Sequence, residues 1–307
     1  MGIWKFVPAS YNDVSMKIAP EGIRIPPDHP LLAQCGGSKG FGFRILDRSW
    51  ESVSMVMKKN TVRLWNTPFA QFTFQETLDC VEELIKIGDP CYFVTSNLHT
   101  VMLANQNPRM MEAIENSAFN LADGMPMVWA SRRSKLRIPE RVAGSDVFPA
   151  LCGIAAKKNY RIFLLGGAPG IGEQAAKNLT ALNPGLRVVG IESPMLSSMT
   201  PEDEKELFAR IRAQKPDMLF VAFGQPKGEL WLYQHCKEIG VPVSAQIGAT
   251  LDFFAGKVPR APLFLQNCGL EWAYRLYQEP KRLFMRYFNN SLFLFRMLVL
   301  GPKISEC

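Results

Sequence analysis

This 307-residue chain lacks most of the patterns that would announce a chemistry by themselves. No Asp-x-Asp occurs, so the usual carboxylate pair for holding a divalent cation against a diphosphate is missing. Its seven cysteines, at 35, 80, 91, 152, 236, 268 and 307, are odd in number and contain no Cys-x-x-Cys. That excludes a disulfide framework or a thiolate zinc site and suits a reducing compartment. The three histidines, His29, His99 and His235, stand in no metal-ligand spacing. No uninterrupted apolar run reaches the length of a membrane span, and the N-terminus has no basic-then-apolar leader pattern, so a cytosolic chain is expected. No Lys follows the one glycine-rich turn, which excludes a P-loop.

What is present is apolar content of 47%, enough for a real core, and a net charge of +7 with a pI near 9.0. The charge favours anionic partners: nucleic acid, acidic lipid head groups or phosphorylated substrates. Residues 1–60 are punctuated by Pro26-Pro27, Gly36-Gly37 and Gly40-x-Gly42 and show no persistent period, so they form an N-terminal extension of unassigned structure. A regular pattern starts near Val62. Thr73-Phe74-Gln75-Glu76 matches a capping box ahead of Leu78, Val81, Leu84 and Ile85 at helical spacing. Buried strands are expected at 91–95, 161–165, 186–191, 218–223 and 241–247. Between them lie helices opened by Asn107-Pro108, capped by Ser145 and by Thr200, and beginning near Pro226. Strands alternating with helices imply an α/β fold: a Rossmann-like parallel sheet covered by helices over 61–256, with a C-terminal helical appendage over 257–307.

Ligands of such sheets bind beyond the carboxyl ends of the strands. The loops there are Thr95 to Asn97, the Asp123 turn, Gly166 to Gly172, Phe223 to Glu229 and Gly248 to Asp252. Asp123 follows a short apolar segment and precedes a helical pattern, so an ionised, solvent-facing carboxylate is expected at a strand-to-helix junction. Such a group either takes a proton from an attacking hydroxyl or merely satisfies turn donors, Asp-Gly being a common turn pair. Gly170-x-Gly172-x-x-Ala175 fits a dinucleotide fingerprint with Glu192 placed to meet a ribose, which leaves a dinucleotide-dependent oxidoreductase as an alternative, although the motif lies several residues past its strand. Lys227 at a helix start opposes the helix dipole, which an anion would explain and a solvated surface position would explain equally. In the tail, Arg282, Arg286, Asn289, Asn290 and Arg296 share one helical face. Leu283, Phe284, Tyr287, Phe288, Leu292, Leu294, Phe295 and Leu298 fill the other. That helix either lies in a membrane interface or packs its apolar arc on protein.

Ordered motifs run from Thr95 to Tyr287: Thr95-x-Asn97, Ala122-Asp123-Gly124, Arg141-Val142-x-Gly144-x-Asp146 and Leu165-Gly166-Gly167. They continue through Gly224-x-Pro226-Lys227-x-Glu229-x-Trp231, Gly248-x-x-x-Asp252-Phe253-x-x-Gly256, Arg260-Ala261-Pro262, Gly269-Leu270-Glu271-Trp272-x-x-Arg275-Leu276 and Glu279-Pro280-x-Arg282. In these motifs the chain resembles the WecG/TagA/CpsF family of bacterial glycosyltransferases. The resemblance implies transfer of a sugar, with inversion, from a UDP-sugar to a polyprenyl-linked saccharide on the cytoplasmic membrane face. Asp123 matches the family's general base. Thr95 and Asn97 match the sugar-nucleotide pocket, and Arg141, Asp146, Gly166, Gly167, Phe223, Gly224, Pro226, Lys227, Glu229, Gly248 and Asp252 complete the candidates for binding substrate. Arg260, Arg275, Arg282, Arg286 and Arg296 match an appendage that closes the site or touches membrane. No metal or other cofactor is implied, and the partners are the donor, the lipid-linked acceptor and an anionic membrane surface, with no nucleic acid; a homo-oligomer is left open. The localisation implied is peripheral, on the inner face of the plasma membrane. The chain departs from the family pattern at Gly228, where Gln is usual, and at Met285, where one of two paired arginines is usual.

Overall fold

The computed structural model describes residues 61–133, 137–299 and 304–306, so the expected 1–60 extension lies outside the described residues. The chain enters through an antiparallel hairpin, β1 (Thr61–Leu64) and β2 (Thr67–Ala70), turned by Trp65 and Asn66, both at positive φ. Helix α1 (Phe74–Ile87) follows, opened by the expected Thr73–Glu76 capping box and closed by Gly88 in the left-handed region. The next elements are β3 (Cys91–Ser96), α2 (Leu98–Gln106), α3 (Pro108–Glu115), β4 (Asn120–Ala122), α4 (Met125–Ser131) and α5 (Gly144–Lys158). They lead to β5 (Arg161–Gly166), α6 (Ile171–Leu182), β6 (Arg187–Glu192), α7 (Pro201–Gln214), β7 (Met218–Ala222), α8 (Lys227–Ile239) and β8 (Val243–Gln246). Short helices α9 (Thr250–Phe254), α10 (Leu263–Asn267) and α11 (Glu271–Gln278) precede the long α12 (Pro280–Val299) and a last strand, β9 (Ile304–Glu306).

Six strands form the main sheet in the order β4-β3-β8-β7-β5-β6, each pair parallel. Runs such as Ile162-Phe163-Leu164-Leu165 and Met218-Leu219-Phe220-Val221 are buried on both faces, as a covered parallel sheet requires. One face packs Phe93, Leu164 and Phe220 against α1, α5, α6 and α9; the other packs Val94, Leu165 and Val221 against α3, α7 and α8. Phe148 of α5 is fully buried with its ring edge-on to Phe220 at 4.7 Å, a burial that stabilises by about 1.5–3 kcal/mol.

Helix α5 begins one residue before the expected Ser145 cap, at Gly144, with no side chain capping it. The reason is steric: a Cβ at Gly144 would lie 2.8 Å from the Thr95 hydroxyl, so glycine lets the helix start against the tip of β3. A third apolar cluster joins the first and last parts of the described residues. Trp65 and Phe69 of the hairpin pack with Val101 of α2, Met127 of α4 and Phe293 of α12. Strand β9 adds antiparallel to β1, so the C-terminal segment is bound to the hairpin as well as to α2.

The tail helix corrects one expectation. Its inward face carries Leu283, Asn290 and Phe293, with Arg286 and Tyr287 half-buried, whereas Phe284, Phe288, Leu292, Phe295 and Leu298 are exposed beside Arg282 and Arg296. Arg286 and Asn290 therefore turn toward protein. A polar partner, His99 Nδ1 at 3.1 Å from Asn290 Oδ1, accounts for the inward Asn.

Candidate active site

The carboxyl ends of β3, β4, β5, β7 and β8 lie at one end of the sheet and carry the loops expected to bind ligand. At β4 the chain leaves the sheet with Asp123 N–H donating to Ser96 O (2.9 Å), and Gly124, at the N-cap position, opens α4. Val142 N–H donates to Ala122 O (3.0 Å), which brings the segment before α5 alongside and sets Arg141 next to Asp123.

Three carboxylates and two guanidiniums meet there. Arg141 lies 3.8 Å from Asp123, 3.2 Å from Asp146 and 3.8 Å from Glu271. Arg260 lies 2.7 Å from Asp146 and 3.7 Å from Glu271. Asp146 is held by both arginines, and Glu271, at the start of α11, closes the ring from the C-terminal segment. Among the described residues the long Arg141 contact is the one ion pair of Asp123, which keeps 27% of its side chain open to solvent. Burial raises its pKa to about 6; Arg141 and Arg260 oppose the rise, and Glu271 and Asp146 reinforce it. The ionised, solvent-facing carboxylate expected from the sequence is open to solvent only in part, and its raised pKa comes from desolvation. Arg260 has a raised pKa: burial pulls down, but Asp146, Glu271 and Asp123 outweigh it.

A second polar group begins one residue beyond Ser96. Asn97 caps α2, its Oδ1 accepting from His99 N–H (3.0 Å) and Thr100 N–H (3.2 Å). Its Nδ2 donates to Gln225 Oε1 (3.4 Å) in the β7–α8 loop, where Gln225 Nε2 donates to Thr100 Oγ1 (2.8 Å) and Gln225 Oε1 accepts from Arg286 Nη2 (2.8 Å). The Gln225–Pro226 bond is cis. Lys227 is exposed at the first turn of α8, while Glu229, two residues on, is 1% exposed beneath the loop. Glu229 therefore offers no surface to a substrate in this conformation. Burial raises its pKa to about 7, opposed first by its own backbone N–H and then by the Gln225 side chain and the charge of Arg286.

Gly228 has a local reason. A Cβ there would lie 2.3–2.6 Å from the side-chain amide of Gln246, so the amide of β8 fills the room that a side chain at 228 would need. Gly166 and Gly167 line the β5 exit, Gly167 N–H donating to Ala222 O (3.2 Å), and Phe223 packs beside Gly166 and edge-on to Trp231.

The remaining candidates fall elsewhere. Asp252 pairs with Lys257 (3.6 Å) and lines a cavity of about 70 Å³ with Phe253, Arg275, Glu279 and Arg282. Arg275 lies over the Phe253 ring at 5.5 Å, and Arg282 pairs with Glu279. Arg296 is exposed on α12. Glu192, expected to meet a ribose, is taken in bidentate fashion by Arg210 at 2.8 and 2.9 Å. Among the described residues no three His, Cys, Asp or Glu side chains converge to hold a metal ion.

Sequence reasoning did not single out Glu271, Gln225, Thr100 or His99. Glu271 and Gln225 lie inside motifs that carried the resemblance, but nothing in linear spacing shows that α11 folds back onto the β4 turn. A family model described as "Glycosyl transferase WecG/TagA/CpsF family" matches residues 62–304.

Proposed function

The chain belongs to the WecG/TagA/CpsF glycosyltransferase family, whose members act in cell-surface polysaccharide synthesis, and from that premise we propose that it is an inverting, metal-independent transferase. In this reading a UDP-sugar is the donor, a polyprenyl-linked saccharide is the acceptor, and Asp123 is the general base. The observation that carries it is the Asp123 environment. The carboxyl is half-buried, partly open to solvent and raised to about 6, so it is ionised at neutral pH and more basic than an ordinary aspartate. Its proton affinity suits abstraction from a hydroxyl as that oxygen attacks the anomeric carbon, a role typically worth about 10²–10⁴-fold in rate.

The neighbours supply the rest. Arg141 and Arg260 neutralise Asp146 and Glu271, which leaves Asp123 the least compensated of the three carboxylates and the one on which a proton is best received. Thr95 and Asn97, Gly166 and Gly167, and the Phe223 to Lys227 loop frame the donor at the strand ends. Cations and backbone N–H groups meet the charge that develops on the departing diphosphate. Lys227 at the α8 start, Arg286 at the loop, and Arg275 and Arg282 beside Asp252 are the cations available.

Among the described residues no helix is long and apolar enough to cross a membrane. The exposed Phe284, Phe288, Leu292, Phe295 and Leu298 with Arg282 and Arg296 give α12 the face of an interfacial helix, which would hold the enzyme at the inner leaflet where a polyprenyl acceptor lies. The test is release of UDP across a panel of UDP-sugars, with a lipid-linked acceptor and EDTA present. Acceptor-dependent release from one donor supports the reading. Release that vanishes in EDTA and returns with magnesium or manganese overturns metal independence, and a thermal shift with NAD but none with UDP overturns the donor class.

A further inference from the structure

Glu271 reaches the ion-pair ring from the C-terminal segment and takes no proton in the proposed transfer. It stands in the first turn of α11, where the N-cap residue Leu270 supplies no side-chain cap. An acidic residue in that turn already serves the helix dipole. The dipole alone, however, does not ask for the geometry that Glu271 has with the neighbours of Asp123.

Arg141 divides its two terminal nitrogens. Nη2 donates to Asp146 Oδ2 at 3.2 Å, whereas Nη1 stands 3.8 Å from Asp123 Oδ1 and 3.8 Å from Glu271 Oε2. Neither of the longer contacts is a hydrogen bond, so Nη1 is suspended between two carboxylates at equal distance. Arg260 stands in a similar relation to Glu271. Its Nη1 pairs with Asp146 Oδ1 at 2.7 Å, its Nε lies 3.7 Å from Glu271 Oε1, and Nε and Nη2 are buried without a hydrogen-bond partner. Glu271 thus acts on both arginines by charge at a distance. The five side chains are only 16–27% exposed, so water screens these charges in part.

We propose that Glu271 is a positioning residue for the base: it shares Arg141 Nη1 with Asp123, holds that guanidinium off the Asp123 carboxyl, and so keeps the carboxyl basic enough to take a proton at neutral pH. Without the Glu271 charge, Nη1 is free to close on Asp123 as Nη2 already closes on Asp146, and a closer guanidinium favours the ionised form. The charged groups facing Asp123 come from four segments: Arg141 ahead of α5, Asp146 in α5, Arg260 ahead of α10 and Glu271 in α11. Their balance agrees in direction: burial raises Asp123 most, Arg141 opposes, and Glu271 and then Asp146 add to the rise. Tyr287 of α12 also feels Glu271; raised above the ordinary tyrosine range by burial, it stays neutral where Asp123 titrates. The effect on rate rests on the proposed role of Asp123; the sharing of Arg141 does not.

Glu271→Gln keeps the shape and removes the charge. Carbon-13 NMR titration of the Asp123 carboxyl, assigned by its absence in Asp123→Asn, reads the sharing with no substrate present. The midpoint in Glu271→Gln is expected about one pH unit below that of the wild type. The acid limb of kcat/KM should move down with it. At neutral pH the rate should fall by about 3-fold, because a less basic carboxylate is a weaker proton acceptor. On the acid side of the wild-type midpoint the variant should match or exceed the wild type, whereas a variant that had only lost packing would be slower at every pH. An unmoved or raised midpoint would overturn the proposal. If Glu271→Gln does not fold, Glu271→Ala removes the same charge and must lower the midpoint likewise. A midpoint that falls while the acid limb of kcat/KM stays in place would sink Asp123 as the base and leave the sharing of Arg141 standing. An acid limb that follows the wild-type Asp123 midpoint, with that midpoint indifferent to Glu271, would do the reverse.

Discussion

Asp123 shows how one side chain is tuned by its neighbours. Its raised pKa means that the folded state favours the protonated form, so its contribution to stability is present below the unfolded aspartate value and is lost as pH rises through about 6. The proposed role as base runs the other way: a protonated Asp123 could not take a proton, so kcat/KM should fall on the acid side with an apparent pKa near 6. Asp123→Asn should therefore raise stability at pH 8, by about 1 kcal/mol after allowance for its partial exposure, seen as a melting temperature ~2–4 °C higher. An acid limb near 4, or a lower melting temperature, would show that the ring does not desolvate the carboxyl. At the second position where residue detail decides, Gly228→Ala should cost about 1–3 kcal/mol because its Cβ meets the Gln246 amide, and Gln246→Ala should recover most of that loss. Denaturant melts of the two single variants and the double variant measure it. The resemblance exposed Gly228 as a departure, but only the packing shows what fills the gap, since residues 228 and 246 are far apart in the chain and meet by tertiary folding.

At the scale of elements, what was local was legible. The Thr73 and Thr200 capping boxes, the Pro108 helix start and the β-branched and aromatic strand runs stand where the sequence puts them, to within a residue or two. Three features were not legible. The β1–β2 hairpin turns on Trp65 and Asn66 at positive φ and not on the Asn-Gly or Gly-containing pairs by which hairpins announce themselves. Strand β9 exists by pairing with β1, some 240 residues earlier in the sequence. The facing of α12 was misjudged because a periodic count weights every apolar residue equally, whereas Phe293 seats edge-on to Trp65 at 6.2 Å and rotates Arg286 and Asn290 inward. The same rotation puts Phe288 and Phe295 outward, at 55% and 64% exposure, with Arg296. Replacing Phe288 and Phe295 by Ser should abolish binding to anionic vesicles, and Arg296→Ala should weaken it by about 1 kcal/mol. Turnover of a water-soluble acceptor analogue should be unaffected in all of these variants. Cosedimentation with vesicles, paired with that assay, is the check; loss of soluble turnover would move these residues into the catalytic machinery.

For the whole molecule, a parallel sheet brings six strand ends to one rim, and the C-terminal segment returns to that rim at two points. Glu271 and Arg260 close on Asp123 through the ion-pair ring, and Arg286 closes on Asn97 through Gln225. The sequence order of these parts, with Asp123, Arg141 and Asp146 in the first half of the chain and Arg260 and Glu271 in its last sixth, is why strand-end loops alone do not reveal this cluster. The account stands or falls on Asp123 as the base. The most direct measurement is single-turnover transfer at saturating donor by wild type and Asp123→Asn, with nucleotide binding followed in parallel. The prediction is a fall in the transfer rate of about 10²-fold or more with binding retained. Transfer by Asp123→Asn at close to the wild-type rate would contradict it.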